Sequence, residues 1–119
     1  MTEHTTVLFR PVGQKELDLI AESGYRAFPP RLDWQPIFYP VLSEEYATFI
    51  AREWKTKDEA SGYVGYVLRF SVRAEYIARF PIQKVGSATA LELWVPAKEL
   101  PEFNANIVGL IQAIATYRP

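Results

Sequence analysis

Tyr63-Val-Gly-Tyr-Val-Leu-Arg-Phe-Ser-Val72 is the stretch that decides the fold. In an extended chain successive side chains point to opposite faces. Val64, Tyr66, Leu68, Phe70 and Val72 then fall on one face, and Gly65, Arg69 and Ser71 on the other. An apolar face repeating every second residue predicts a long, half-buried strand over 63–72. Such a strand needs partners on its edges and a cover on its apolar face.

On the C-terminal side, 74–80 predicts a short helix ended by Pro81. Residues 82–85 and 90–95 flank a Gly86-Ser87 turn and predict a hairpin. Pro96 opens a short helical stretch, interrupted at Pro101. Residues 107–117 are apolar at both periods; their β-branched content and Gly109 favour a closing strand. On the N-terminal side, 55–61 predicts a charged loop. Ser43 is a natural N-cap, Glu44 and Glu45 suit a helix start, and Ala47, Ile50, Ala51 and Trp54 follow at helical spacing. These residues predict a helix over 44–54. Residues 37–41 predict a short strand that Pro40 places near an edge or end. Residues 25–36 are too rich in proline for regular structure and predict a long, partly ordered loop. Leu17, Ile20 and Ala21, with Gly24 as a stop, predict a helix over 14–23. Residues 5–10 predict a strand stopped by Pro11. The order is β, α, β, α, then mainly β. It predicts one α+β domain over 1–119, with a small, mainly antiparallel sheet, two to four helices and a flexible tail at 1–4.

Composition narrows the chemistry. The chain has 119 residues, 49 % of them hydrophobic, enough for one core. Its net charge of −1, with interleaved signs, argues against a broad nucleic-acid surface. There is no cysteine, so disulfides, thiol chemistry and thiolate metal sites are excluded. The one histidine, His4, lies in the polar N-terminal stretch, which leaves no two-histidine zinc motif and little basis for Ser–His–Asp catalysis, so no metal is expected. No apolar run is long enough to span a membrane, and the N-terminus lacks the basic-then-apolar pattern of a leader; both predict a soluble, cytoplasmic protein. No Gly-x-Ser-x-Gly and no glycine-rich phosphate loop occurs.

Arginine, carboxylate and aromatic chemistry remain. Arg10 ends the first strand before a Pro-Val-Gly turn, where a guanidinium meets an anion or a surface ion pair. Glu92 lies in Ala90-Leu-Glu-Leu-Trp-Val95, on the strand face opposite Leu91 and Leu93; it is either a partly desolvated functional carboxylate or a solvated one. Tyr39 stands beside Pro40, ahead of the capped helix, as a stacking surface or as rim packing. Arg31 and Trp34 are the candidates of the long loop.

The order of Val7-Leu-Phe-Arg10, Ile37-Phe-Tyr-Pro40, Glu44-Glu-Tyr-Ala-Thr-Phe-Ile-Ala51 and Leu91-Glu-Leu-Trp-Val95 resembles the small ADP-ribosyltransferase fold. The whole chain is also similar to short bacterial proteins known as "ADP-ribosylation/crystallin J1", through Arg-Pro-Val-Gly, Phe-Pro-Pro-Arg-Leu and Glu-Leu-Trp-Val-Pro-Ala-x-Glu-Leu. The resemblance implies NAD as substrate. Arg10 would bind its ribose or diphosphate, Tyr39 would pack on nicotinamide, and Glu92 would be the catalytic carboxylate. The chain departs from the transferases in having no His in the first strand, no Ser-Thr-Ser in the second, and Ala90 two positions before Glu92. Two readings follow. One is an enzyme that transfers ADP-ribose or hydrolyses NAD. The other is a non-catalytic module on the same fold that holds a small ligand or a protein through 25–36. Pairing of the C-terminal strand with a second copy stays open.

Overall fold

The computed structural model describes residues 4–119. In chain order it contains β1 (Thr5–Val12), α1 (Gln14–Glu22), β2 (Ile37–Phe38), α2 (Glu44–Glu53), β3 (Gly65–Arg73), α3 (Ala74–Ile77), β4 (Ile82–Lys84), β5 (Leu91–Leu93), β6 (Val95–Pro96), α4 (Leu100–Ala105) and β7 (Ile107–Tyr117). Short 3-10 turns occupy Lys55–Lys57, Glu59–Ser61 and Ala97–Glu99. This is an α+β fold in which every strand pair is antiparallel. Of the expected tail at 1–4, residues 1–3 lie outside the described residues. His4 is exposed, and its carbonyl accepts the Ala74 N–H at 3.1 Å.

The strand read from the alternating stretch is β3, at the centre of a three-stranded sheet ordered β1-β3-β7. Tyr66, Leu68, Phe70 and Val72 face an aromatic core with Leu8, Ile20, Phe28, Phe38, Leu100 and Phe103. Phe28 meets Phe70 edge-on at 4.8 Å and tilts against Phe38 at 5.0 Å. Each fully buried phenylalanine contributes roughly 2 kcal/mol of transfer free energy.

The other face of β3 is not open along its length. Val67 is buried with Val41 against Ala47 and Ala51 of α2, while Arg69 and Arg73 are exposed and Ser71 is half-buried. Half-burial therefore describes the second half of the strand, and the first half is covered twice. Gly65 makes that double cover fit, because a Cβ built on it would stand 2.1 Å from the Ala51 carbonyl oxygen. Helix α2 forms as its sequence dictates: Ser43 Oγ accepts the Tyr46 N–H at 3.1 Å, and Ala47, Ile50 and Ala51 supply the buried stripe. Trp54, expected on that stripe, instead caps the helix and is exposed.

Three prolines act differently from their sequence reading. Pro11 does not stop β1, which runs on to Val12. The Phe9 N–H points away from β3, to the Val41 carbonyl at 2.9 Å; Pro11 shares that parity, so the ladder to β3 needs no donor from it. Pro101 sits in the first turn of α4, behind Leu100, instead of interrupting a helix, since a first-turn residue has no intrahelical use for an N–H. Pro40 splits the strand expected at 37–41. Ile37 and Phe38 pair with Pro96 and Val95, the ladder breaks at Tyr39 and Pro40, and it resumes in the same register where Val41 bridges Glu92.

Val41 also exchanges both backbone hydrogen bonds with Phe9, at 2.9 and 2.8 Å, so it stitches β1 to β5. The expected hairpin is present as β4–β5, and the closing strand as the edge strand β7. The loop at 25–36 has no regular structure but is firmly tied. Phe28 is buried in the core, and its backbone N–H and C=O are both held by the Asn104 amide at 2.9 and 3.0 Å.

Candidate functional site

Where Val41 joins β1 to β5, the exposed side of the junction is a cleft of about 660 Å³, within the range of small-molecule sites. Four of the residues singled out in the sequence line it: Arg10, Arg31, Tyr39 and Glu92. Trp34 does not; it is 75 % exposed on the long loop. The tryptophans of the cleft are Trp54, after α2, and Trp94, whose ring meets Tyr39 edge-on with centroids 6.5 Å apart. Trp94 was legible, because it lies two residues from Glu92 and so on the same strand face. Trp54 and Lys55 gave no signal, because only the path of the chain after α2 brings them to the cleft.

Glu92 is half-buried and doubly held. One carboxylate oxygen accepts from the Tyr46 hydroxyl at 3.0 Å and the other from Trp94 Nε1 at 3.1 Å. Helix α2 supplies Tyr46 and β5 supplies Glu92, so the carboxylate is fixed between two rigid elements. Burial, then the hydrogen bond to Glu92, pushes the Tyr46 hydroxyl up from 10.0 to about 12. The folded chain thus holds this proton more tightly than the unfolded chain. The resulting stabilisation is full below pH 10 and is lost as the pH rises towards 12. Tyr76, raised by burial and by Glu99, acts in the same direction. Denaturant titrations across this range should show stability falling with pH, and falling less steeply in Tyr46→Phe.

Arg10 is 8 % exposed and already engaged. Its Nε and one terminal nitrogen donate to the two Glu16 oxygens at 2.6 and 2.9 Å, and the other terminal nitrogen donates to the Tyr39 carbonyl at 3.2 Å. The guanidinium stacks 4.6 Å from the centre of the Phe38 ring. Burial, the largest single influence, would raise the Glu16 carboxyl, but the charge and hydrogen bonds of Arg10, with the charges of Arg31 and Lys55, together outweigh it and hold that carboxyl below its ordinary value. The sequence marked Arg10 as an anion binder or an ion-pair partner; the anion it holds here is Glu16.

Arg31 and Lys55 are the less committed cations. Arg31 donates Nε to the Ile37 carbonyl at 3.1 Å. The Lys55 ammonium has no hydrogen bond or ion pair among the described residues. Burial and then the Arg10 charge push both below their ordinary values. The cleft thus presents two cations, Arg31 and Lys55, together with Glu92, Tyr39 and Trp94.

Among the described residues no group of three or more His, Asp or Glu side chains is placed to hold a metal ion. None of the helices among them is long and apolar enough to cross a membrane. No protein-family model, curated protein or solved structure matches the chain.

Proposed function

We propose that this chain is an ADP-ribosyltransferase-like protein that binds NAD in the cleft and uses Glu92 to help break the bond between nicotinamide and ribose. The observation that carries this reading is the carboxylate of Glu92, fixed by Tyr46 and Trp94 in a cleft that also presents Tyr39 and two cations, Arg31 and Lys55, that close no ion pair among the described residues. Tyr39 and Trp94 suit a planar ring. As the glycosidic bond breaks, its electron pair leaves with nicotinamide and positive charge builds on the ribose. A carboxylate already held in place stabilises that charge without reorganising. With water as acceptor, a C–O bond forms at the anomeric carbon, ADP-ribose and nicotinamide result, and the water proton passes to solvent.

Glu92→Gln keeps the shape of the side chain and removes its charge. Nicotinamide release from NAD should fall on the order of 100-fold, with NAD affinity by calorimetry nearly unchanged. Equal turnover in the two proteins would remove Glu92 from the mechanism.

The engagement of Arg10 by Glu16 favours a second reading, a non-catalytic module that holds a small anionic ligand in the same cleft. NAD binding with no nicotinamide release from the parent protein would select it.

A further inference from the structure

We infer that Arg31 and Lys55 form a diphosphate saddle, which makes the ligand of this cleft a two-lobed dinucleotide and not a mononucleotide. This deepens the NAD reading and rests on it only for the identity of the lobes. Arg31 and Lys55 line the cleft and also an adjoining cavity of about 300 Å³ on their far side, so they stand at the divide between two compartments. On the near side are Glu92, Tyr39 and Trp94; on the far side are Pro29, Pro30 and Leu32, a surface suited to a second ring.

The charges around the divide are mostly committed. Glu16 is bound by Arg10. The two Asp58 oxygens accept from the Ala60 N–H at 3.2 Å and the Ser61 hydroxyl at 2.8 Å. Glu92 is held by Tyr46 and Trp94, and Lys15 adds an exposed positive charge to the far compartment. Arg31 has its two terminal nitrogens uncommitted, and Lys55 has its whole ammonium. Partly desolvated cations are ordinarily paired; the charge of Glu16 reaches both of these and that of Asp58 reaches Lys55, but neither cation closes an ion pair with them among the described residues. A planar guanidinium and an ammonium shared by two adjoining compartments match a diphosphate that joins two nucleosides.

The test is calorimetry with inorganic pyrophosphate and with NAD, on the parent protein, Arg31→Met and Lys55→Met. Both ligands should bind the parent, and each substitution should weaken both by about 10-fold. Affinity in the parent should also fall with salt, and less so in Lys55→Met. If Arg31→Met is unstable, Lys55→Met decides, because no contact of its ammonium holds the fold. NAD binding that is equal in parent and variants would overturn the saddle and leave the NAD reading standing. Pyrophosphate binding that depends on both residues, without NAD binding, would keep the saddle and end the NAD reading. No binding of either ligand by the parent would end both.

Discussion

Gly65→Ala should destabilise the chain by roughly 4 kcal/mol, as much as a severe core lesion. The added Cβ would stand 2.1 Å from the Ala51 carbonyl oxygen and 2.7 Å from its carbon. These are backbone atoms in α2, so no side-chain rotation relieves the clash. Either α2 lifts off the sheet or β3 shifts within it. Lifting α2 uncovers Val67, Val41 and Ala47 and moves Tyr46 away from Glu92. For a domain of this size the midpoint of thermal unfolding should fall by roughly 15 °C. On the proposed reading, NAD binding should weaken even at temperatures where the variant is folded, because Tyr46 no longer fixes Glu92. A change in midpoint of only a degree or two would mean that α2 packs less tightly on β3 than described.

Glu16→Gln should cost about 3 kcal/mol, because it leaves Arg10 charged and largely buried without its counterion. The Arg10 side chain is 10 % exposed and that of Glu16 22 %, so water compensates little. Urea midpoints would show the loss. Replacing both residues with apolar ones of similar volume should recover much of it, which separates the cost of an orphaned charge from the worth of the pair. The pair also sets acid stability. The Glu16 carboxyl is held below its ordinary value in the folded chain, so its stabilisation is present above the unfolded value and drains away as the pH falls through the folded one. In Glu16→Gln this part of the acid limb should be absent.

The sequence carried the element order because the decisive signals were local. Two-residue alternation marked β3, the Ser43 cap and its spacing marked α2, and the hairpin at Gly86-Ser87 appeared as β4–β5. What it missed was set by partners distant in the chain. Nothing near Gly65 says that Ala51 will lie against it. Nothing near Pro11 says that the preceding strand bonds outward to Val41, which is what makes the proline harmless. The candidate site was legible to a similar depth. Arg10, Arg31, Tyr39 and Glu92 do share a cleft, but the commitment of Arg10 to Glu16 depends on how α1 folds back on β1. Trp34 looked like Trp94 in composition and differs in place, since a loop tip gives no rule for direction and a strand does.

The bridging role of Val41 has a consequence for how the molecule assembles. Helix α2 and β5 are joined by a hydrogen bond between residues 46 apart in sequence, and Val41 bridges the backbones of β1 and β5. Loops of that length close late and add little until both ends are in place. The cleft is therefore complete only once α2, β1 and β5 have come together. Until then Glu92 lacks its Tyr46 partner, so a partly folded chain lacks the assembled cleft.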